Sequence, residues 1–259
     1  MSMLNKQPSL ASARFEASLI IRRYGFTSPD QIHLEDIAYA DGIVVESASL
    51  KKIEALLLRK KNRGIIHVSD RIANIGRRRF AIAHELGHWH CHSSLSQAWL
   101  CTADAIHAYK GSAVELEANA FAAELLMPKQ MILQEVGTEE LSIQLACRIA
   151  DAFQTTLTAT AIRIIEESKG DYCVLFSENN AVRWSKKSRT AADIWMPNTI
   201  NPASRAWDCD TEPADAIGLR KTSPEFWLSG RTLREYSEVW EESVLLGDYG
   251  TVLTLLYFS

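Results

Sequence analysis

The stretch Phe80–His92, FAIAHELGHWHCH, constrains this chain more than any other, because it carries His84, Glu85 and His88 in the pattern H-E-x-x-H. On a helix, residues four apart share a face and are separated by about 6 Å of rise, so two imidazoles can be directed at a single ion. That is the spacing of a zinc-ligand pair. Glu85 leaves the same turn beside them, placed to accept a proton from an activated water rather than to bind the metal. Phe80, Ala81, Ile82, Ala83, Leu86 and Trp89 surround the motif with apolar side chains, which predicts a buried helix and a dry site. Gly87 weakens a helix by about 1 kcal/mol unless something must approach closely. A sheet edge or a substrate is expected to pass there.

Other histidines nearby are expected to do less. His92 is two turns from His84, about 12 Å up the axis, too far to join the same ion. His90 is expected to take no part in the site, and His107 reads as a surface or packing residue, the alternative being that it lines the site. The longer metzincin pattern needs Gly and His where this chain has Cys91 and Ser94, so that class is excluded.

A zinc site with two histidines needs a third protein ligand and an open position, and a carboxylate from a separate helix is the usual solution. Val114–Pro128, VELEANAFAAELLMP, is such a helix by composition, stopped by Pro128. Leu116, Ala120, Ala123 and Met127 recur at helical spacing as its apolar stripe, with Glu115, Ala118, Asn119 and Ala122 on an adjacent one. Glu115 or Glu117 can supply the carboxylate, but not both, because residues two apart diverge by about 200° around the axis. Glu115 is the expected ligand: Asn119 lies one turn on, where its amide can support a ligand, and Ala118 and Ala122 keep that face slim.

HELGH followed by E-L-E-A-N-A-F-A-A-E-L-L-M-P resembles the ImmA/IrrE family of intracellular zinc metallopeptidases, in motif order and separation, over roughly Ile43–Pro128. The resemblance implies a compact gluzincin-like core with one Zn2+ per chain held by His84, His88 and Glu115, and Glu85 as general base. It also implies a protein substrate, a transcriptional repressor or antitoxin-like partner, whose cleavage switches genes for stress response, toxin–antitoxin systems or mobile elements. The alternative is a zinc-containing regulatory protein that binds a repressor or DNA without cutting. No N-terminal DNA-binding domain of the repressor type carried by some relatives is seen, and the last ninety or so residues match no familiar pattern.

The rest of the chain is expected to be α+β. Ala11–Tyr24 reads as an amphipathic helix with Phe15, Leu19 and Ile20 on one side, and a second helix should follow Ser28-Pro29-Asp30 and run to Asp41-Gly42. Ile43–Glu46, Glu54–Arg59 and Gly64–Ser69 read as short strands of a mainly antiparallel sheet, the last two joined by a turn at Lys61–Gly64. Ser93–Gly111 is expected to be a loop or broken helix anchored by Trp99, Leu100 and Ile106. Leu141–Phe153 and Leu157–Glu167 read as two helices, similar to a helix-turn-helix, as this family often has after its active-site helices. With only Arg148 and Arg163 as basic residues, the pair suits packing or repressor docking better than DNA binding. Tyr172–Phe176 and Ala181–Trp184 alternate like a hairpin, Thr232–Glu238 and Thr251–Phe258 look β-rich, and Trp195, Trp207, Trp227 and Trp240 suggest an aromatic core. The domains expected are residues 1–135 for the metallopeptidase, 136–170 for the helical segment and 171–259 for a regulatory or substrate-selecting α+β domain.

Apolar residues make up 47% of the 259, enough for a sizeable core, and a net charge of −4 supplies no overall field for nucleic acid. The basic clusters at Lys51-Lys52, Arg59–Arg63 and Arg77–Arg79 read as solvated faces. Five cysteines, odd in number and without C-x-x-C spacing, suit reduced thiols. The N-terminal sequence lacks a signal-peptide apolar run, and no stretch approaches the ~18 apolar residues of a membrane span, so a cytoplasmic location is expected.

Overall fold

The computed structural model describes residues 9–92, 98–102, 112–207, 209, 218–247 and 250–259. The chain divides into two compact units, residues 1–132 with 151–156 and residues 133–150 with 157–259. Both mix helices with a small sheet, an α+β architecture. No helix among the described residues is long and apolar enough to cross a membrane.

In the first unit, helix α1 (Leu10–Tyr24) ends where expected, at Gly25 in the left-handed conformation that glycine adopts without strain. Its buried stripe is Ala13, Ala17 and Ile20, while Phe15 is exposed, so the expected Phe15 face is corrected. Small residues are buried there because α1 lies close against a later helix. The helix expected after Ser28 is broken: a 3-10 turn over Pro29–Gln31 is followed by α2 (Leu34–Ala40). Gln31 turns its side chain back to accept from the backbone of Thr27 and Ser28, which closes the first turn on itself before a helix can propagate.

Strands β1 (Ile43–Ala48), β2 (Ile53–Lys60), β3 (Arg63–Ser69) and β4 (Ala98–Thr102) form a sheet in the order β1-β3-β2-β4. β2 runs antiparallel to β3 and β4, and only β1 pairs in parallel. Alternation decides its faces: Ala55, Leu57, Ile66 and Val68 are buried, while Val44, Leu58 and Ile65 are exposed. The expected loop or broken helix over Ser93–Gly111 is thus a strand at 98–102; Ile106 and His107 lie outside the described residues.

Helix α3 (Ile75–Cys91) is fixed at both ends. Asn74 caps its start, accepting from the backbone N–H of Arg77 at 2.9 Å. At its end the Arg59 guanidinium sits 3.7 Å over the Trp89 ring and donates to the Trp89 carbonyl at 2.8 Å. Gly64 leaves room for that ring, since a Cβ there would come within 2.8 Å of it. The Arg77–Arg79 cluster is not a solvated face. Arg77 pairs with buried Glu54, Arg78 donates to Ser47 and Arg79 to the Ile32 carbonyl, so these charges tie α3 to its surroundings.

Helix α4 (Ala113–Leu126) crosses α3 and α1. Its deepest stripe is Ala118, Phe121, Ala122 and Leu125 rather than the stripe through Leu116 and Ala123, which are half-buried. Gly87 meets it directly: a Cβ at Gly87 would lie 3.0 Å from both Cα and O of Ala118. The close approach anticipated at Gly87 is therefore made by α4, not by a sheet edge. Helix α5 (Lys129–Val136) follows Pro128.

The second unit holds most of helix α6 (Ile143–Phe153) and all of α7 (Leu157–Glu167), with the five-stranded sheet β6-β5-β9-β8-β7. Its strands are β5 (Asp171–Glu178), β6 (Ala181–Lys187), β7 (Arg220–Thr222), β8 (Val239–Leu245) and β9 (Thr251–Phe258), all antiparallel. The β5–β6 hairpin turns through Asn179 and Asn180, both at positive φ, as a tight two-residue turn demands. Two expectations fail here. Residues Thr232–Glu235 form a helical turn, α8, and the strand starts only at Val239. Of the four tryptophans, Trp227 alone is fully buried; Trp195 and Trp207 are exposed.

Trp227 is buried because a carboxylate receives its indole. Glu241, at 0% exposure, accepts from Trp227 Nε1 and from the Ala206 backbone N–H, each at 2.9 Å. Burial pushes its carboxyl above the usual range, opposed by those two donors. Glu241→Gln must turn an amide N–H towards one of these donors, and is expected to cost about 1–3 kcal/mol, read as a lowered urea midpoint. An unchanged midpoint would count against this anchor. In the first unit, Gly87→Val should force α3 and α4 apart and lower the melting temperature by several degrees; a rise would show that the contact is slack.

Candidate metal centre

α3 and α4 pack against one another where Gly87 lets them approach, and the candidate site residues cluster there. His84 and His88, one turn apart on α3, are both at 0% exposure, and Glu115 reaches them from α4. His84 Nε2 and His88 Nε2 are 3.0 Å apart; Glu115 Oε2 is 3.1 Å from the former and Oε1 3.6 Å from the latter. Tetrahedral zinc with bonds of 2.0–2.1 Å holds its ligand atoms about 3.3 Å apart, and the three spacings bracket that value. Among the described residues this is a group of metal-ligating side chains whose donor atoms lie within 4.8 Å of one another.

The donor chemistry points the same way. Asn119 lies one turn beyond Glu115, and its Oδ1 accepts from His84 Nδ1 at 2.8 Å. A neutral imidazole that donates from Nδ1 has a bare lone pair on Nε2. That lone pair faces a carboxylate oxygen at 3.1 Å, which is repulsive unless a cation or a proton lies between them. The residues present therefore fit a divalent metal with nitrogen and oxygen ligands.

Electrostatics set the charge states. Burial pushes His88 down to about 4 against the raising influence of Glu115, so its ring is neutral and able to bind metal near pH 7. Burial alone would raise Glu115, but its contacts with His84 and His88 outweigh that and hold it well below the usual carboxylate range. Glu85 projects from the turn between the histidines and is also at 0% exposure.

The expected site residues His84, Glu85, His88, Glu115 and Asn119 thus come together in one buried locality. Glu117 diverges from Glu115 as the helical angle requires, and its Oε2 lies 2.8 Å from His92 Nε2. His90 pairs with Asp41 at 3.0 Å and stacks on Phe121, a packing role. The sequence spacing places His92 too far from His84 to share an ion with it, yet His92 Nδ1 lies 3.1 Å from His88 Nδ1. The signal was present in the spacing: His84, His88 and His92 repeat every four residues, so each stands over the next.

A family model of Peptidase M78, the IrrE N-terminal-like domain, matches residues 39–164. No curated protein matches the sequence. A solved structure described as a Mycobacterium tuberculosis transcriptional regulator is similar in fold, with a TM-score of 0.61 at 14% identity, covering 95% of this chain and 76% of that one. Residues 39–164 contain the H-E-x-x-H helix, the helix bearing Glu115 and the four-stranded sheet, and over this span the chain carries an IrrE N-terminal-like domain of the ImmA/IrrE family.

Proposed function

We propose that the chain is a zinc-dependent intracellular endopeptidase with a gluzincin-like core, acting on a transcriptional repressor or an antitoxin-like partner. The observation that carries this reading is the convergence of His84 Nε2, His88 Nε2 and a Glu115 oxygen beside a fully buried Glu85. Zinc, when bound by His84, His88 and Glu115, supplies Lewis acidity that activates water and polarises a carbonyl.

The remaining chemistry belongs to the chain. Glu85 acts as general base, taking a proton from the attacking water and passing it to the leaving amine. Burial of α3 and α4 excludes bulk water, which strengthens each polar contact in the site. Asn119 holds the His84 ring with Nε2 turned inward. A purely structural zinc is enclosed by four protein ligands, whereas among the described residues three donors gather, the number that a catalytic zinc uses.

The second unit is read as the part that docks the repressor or senses a signal. A grip on DNA through α6 and α7 finds little support in their charges. Arg163 is 1% exposed and pairs with Glu167 at 2.9 Å, and Arg148 pairs with Glu139 at 2.6 Å, so both basic side chains are engaged within the unit. The likeness to a protein described as a transcriptional regulator favours one second reading, a regulatory protein that binds a repressor without cutting it.

Glu85→Gln separates the two. It is expected to keep zinc while slowing cleavage of a repressor encoded beside the gene by about 10²–10⁴-fold, followed by gel and mass spectrometry. Wild-type cleavage by this variant would remove the assigned base, and derepression without any cleavage would favour the non-proteolytic reading. Zinc in hundredfold excess over its dissociation constant should stabilise the fold by about 2.7 kcal/mol, reversed by a chelator in a thermal melt. A melt indifferent to zinc would contradict the metal centre.

A further inference from the structure

We infer that His92 and Glu117 are positioning residues, which hold the ring proton of His88 on Nδ1 and so keep its Nε2 lone pair turned towards Glu115 and His84. This rests on the metal-centre reading and extends it to residues beyond the three proposed ligands. The order of groups leaves little freedom. An ionised carboxylate can only accept, so Glu117 Oε2, 2.8 Å from His92 Nε2, requires the proton on that nitrogen. A neutral imidazole carries one ring proton, so His92 Nδ1 is then an acceptor. It lies 3.1 Å from His88 Nδ1, which must donate. His88 is left with a lone pair on Nε2, 3.0 Å from His84 Nε2 and 3.6 Å from Glu115 Oε1.

The outer carboxylate is itself held. Glu117 Oε1 accepts from the Ser9 backbone N–H at 2.7 Å, so the side chain is tied on one side to the start of α1 and on the other to His92. His92 is 2% exposed, which shields the relay from water that could otherwise satisfy either ring nitrogen. The two histidines of the motif are thus oriented by different means: His84 by an amide, His88 by a carboxylate acting through a second imidazole.

The test is zinc affinity, measured by competition with a chromogenic chelator on the full chain, together with nitrogen-15 spectra of the histidine rings. His92→Phe and Glu117→Gln are each expected to weaken zinc binding about 10- to 100-fold. His92→Asn, whose Oδ1 can still accept from His88, should recover part of the loss, which a merely space-filling role would not predict. In zinc-free wild-type protein the His88 spectrum should report a proton on Nδ1, and His92→Phe should abolish that preference. Zinc bound by His92→Phe and Glu117→Gln within twofold of wild type, or a His88 proton on Nε2, would overturn the positioning role while leaving the metal centre intact. Wild-type protein that bound no zinc would overturn the metal-centre reading itself.

Discussion

The close approach of two helices at Gly87 and Ala118 underlies everything else in the first unit. A Cβ at Gly87 would stand 3.0 Å from the backbone of Ala118, so the residue has no side chain because α4 occupies its place. The glycine weakens the helix, and the packing it permits offsets that. Its consequence is chemical. Glutamate carries its carboxylate only a few ångströms from the backbone, so Glu115 reaches His84 and His88 only if α4 runs this near. Ala118 and Ala122, both fully buried, keep α4 slim along the same line.

Burial then makes the cluster demanding. Imidazoles removed from water need partners, and here the outer nitrogen of each ring is given one at a defined atom. Asn119 takes the outer nitrogen of His84, and His92 takes that of His88. The inner atoms are left facing one another, an arrangement with high cost unless a cation is shared among them. Stability and the proposed chemistry are therefore linked: the fold gathers electron-rich atoms that the metal would reconcile.

Much of this was legible in the sequence, for identifiable reasons. The H-E-x-x-H helix and its carboxylate donor follow from helical periodicity, which fixes relative directions wherever a helix forms at all. The same geometry requires Glu115 and Glu117 to diverge, and α4 turns them apart, Glu115 to His84 and Glu117 to His92. Strands β2 and β3 were readable because alternation and a turn coincide there. What was missed depends on tertiary partners. Phe15 looked like a core residue, but α1 buries its alanines because its neighbour comes too close for a ring. Thr232–Glu238 looked β-rich through Thr232 and Tyr236, but Leu233, Arg234 and Glu235 favour a helical turn, which precedes a strand whose start is set by pairing with β9. The arginines of Arg77–Arg79 looked like solvated charge, and their partners Glu54, Ser47 and Ile32 lie far away in sequence. His92 is two turns from His84 but one turn from His88, and its place is one layer further out, against the outer nitrogen of that ring.

X-ray absorption at the zinc edge tests the shared cation most directly, because it reads the ligand atoms themselves. One zinc per chain, with two imidazole nitrogens and carboxylate or water oxygens at about 2.0–2.2 Å, is the expected spectrum. A sulfur shell at about 2.3 Å, as from Cys91 at the end of the same helix, or a metal lost on passage through a desalting column, would contradict a centre built from His84, His88 and Glu115.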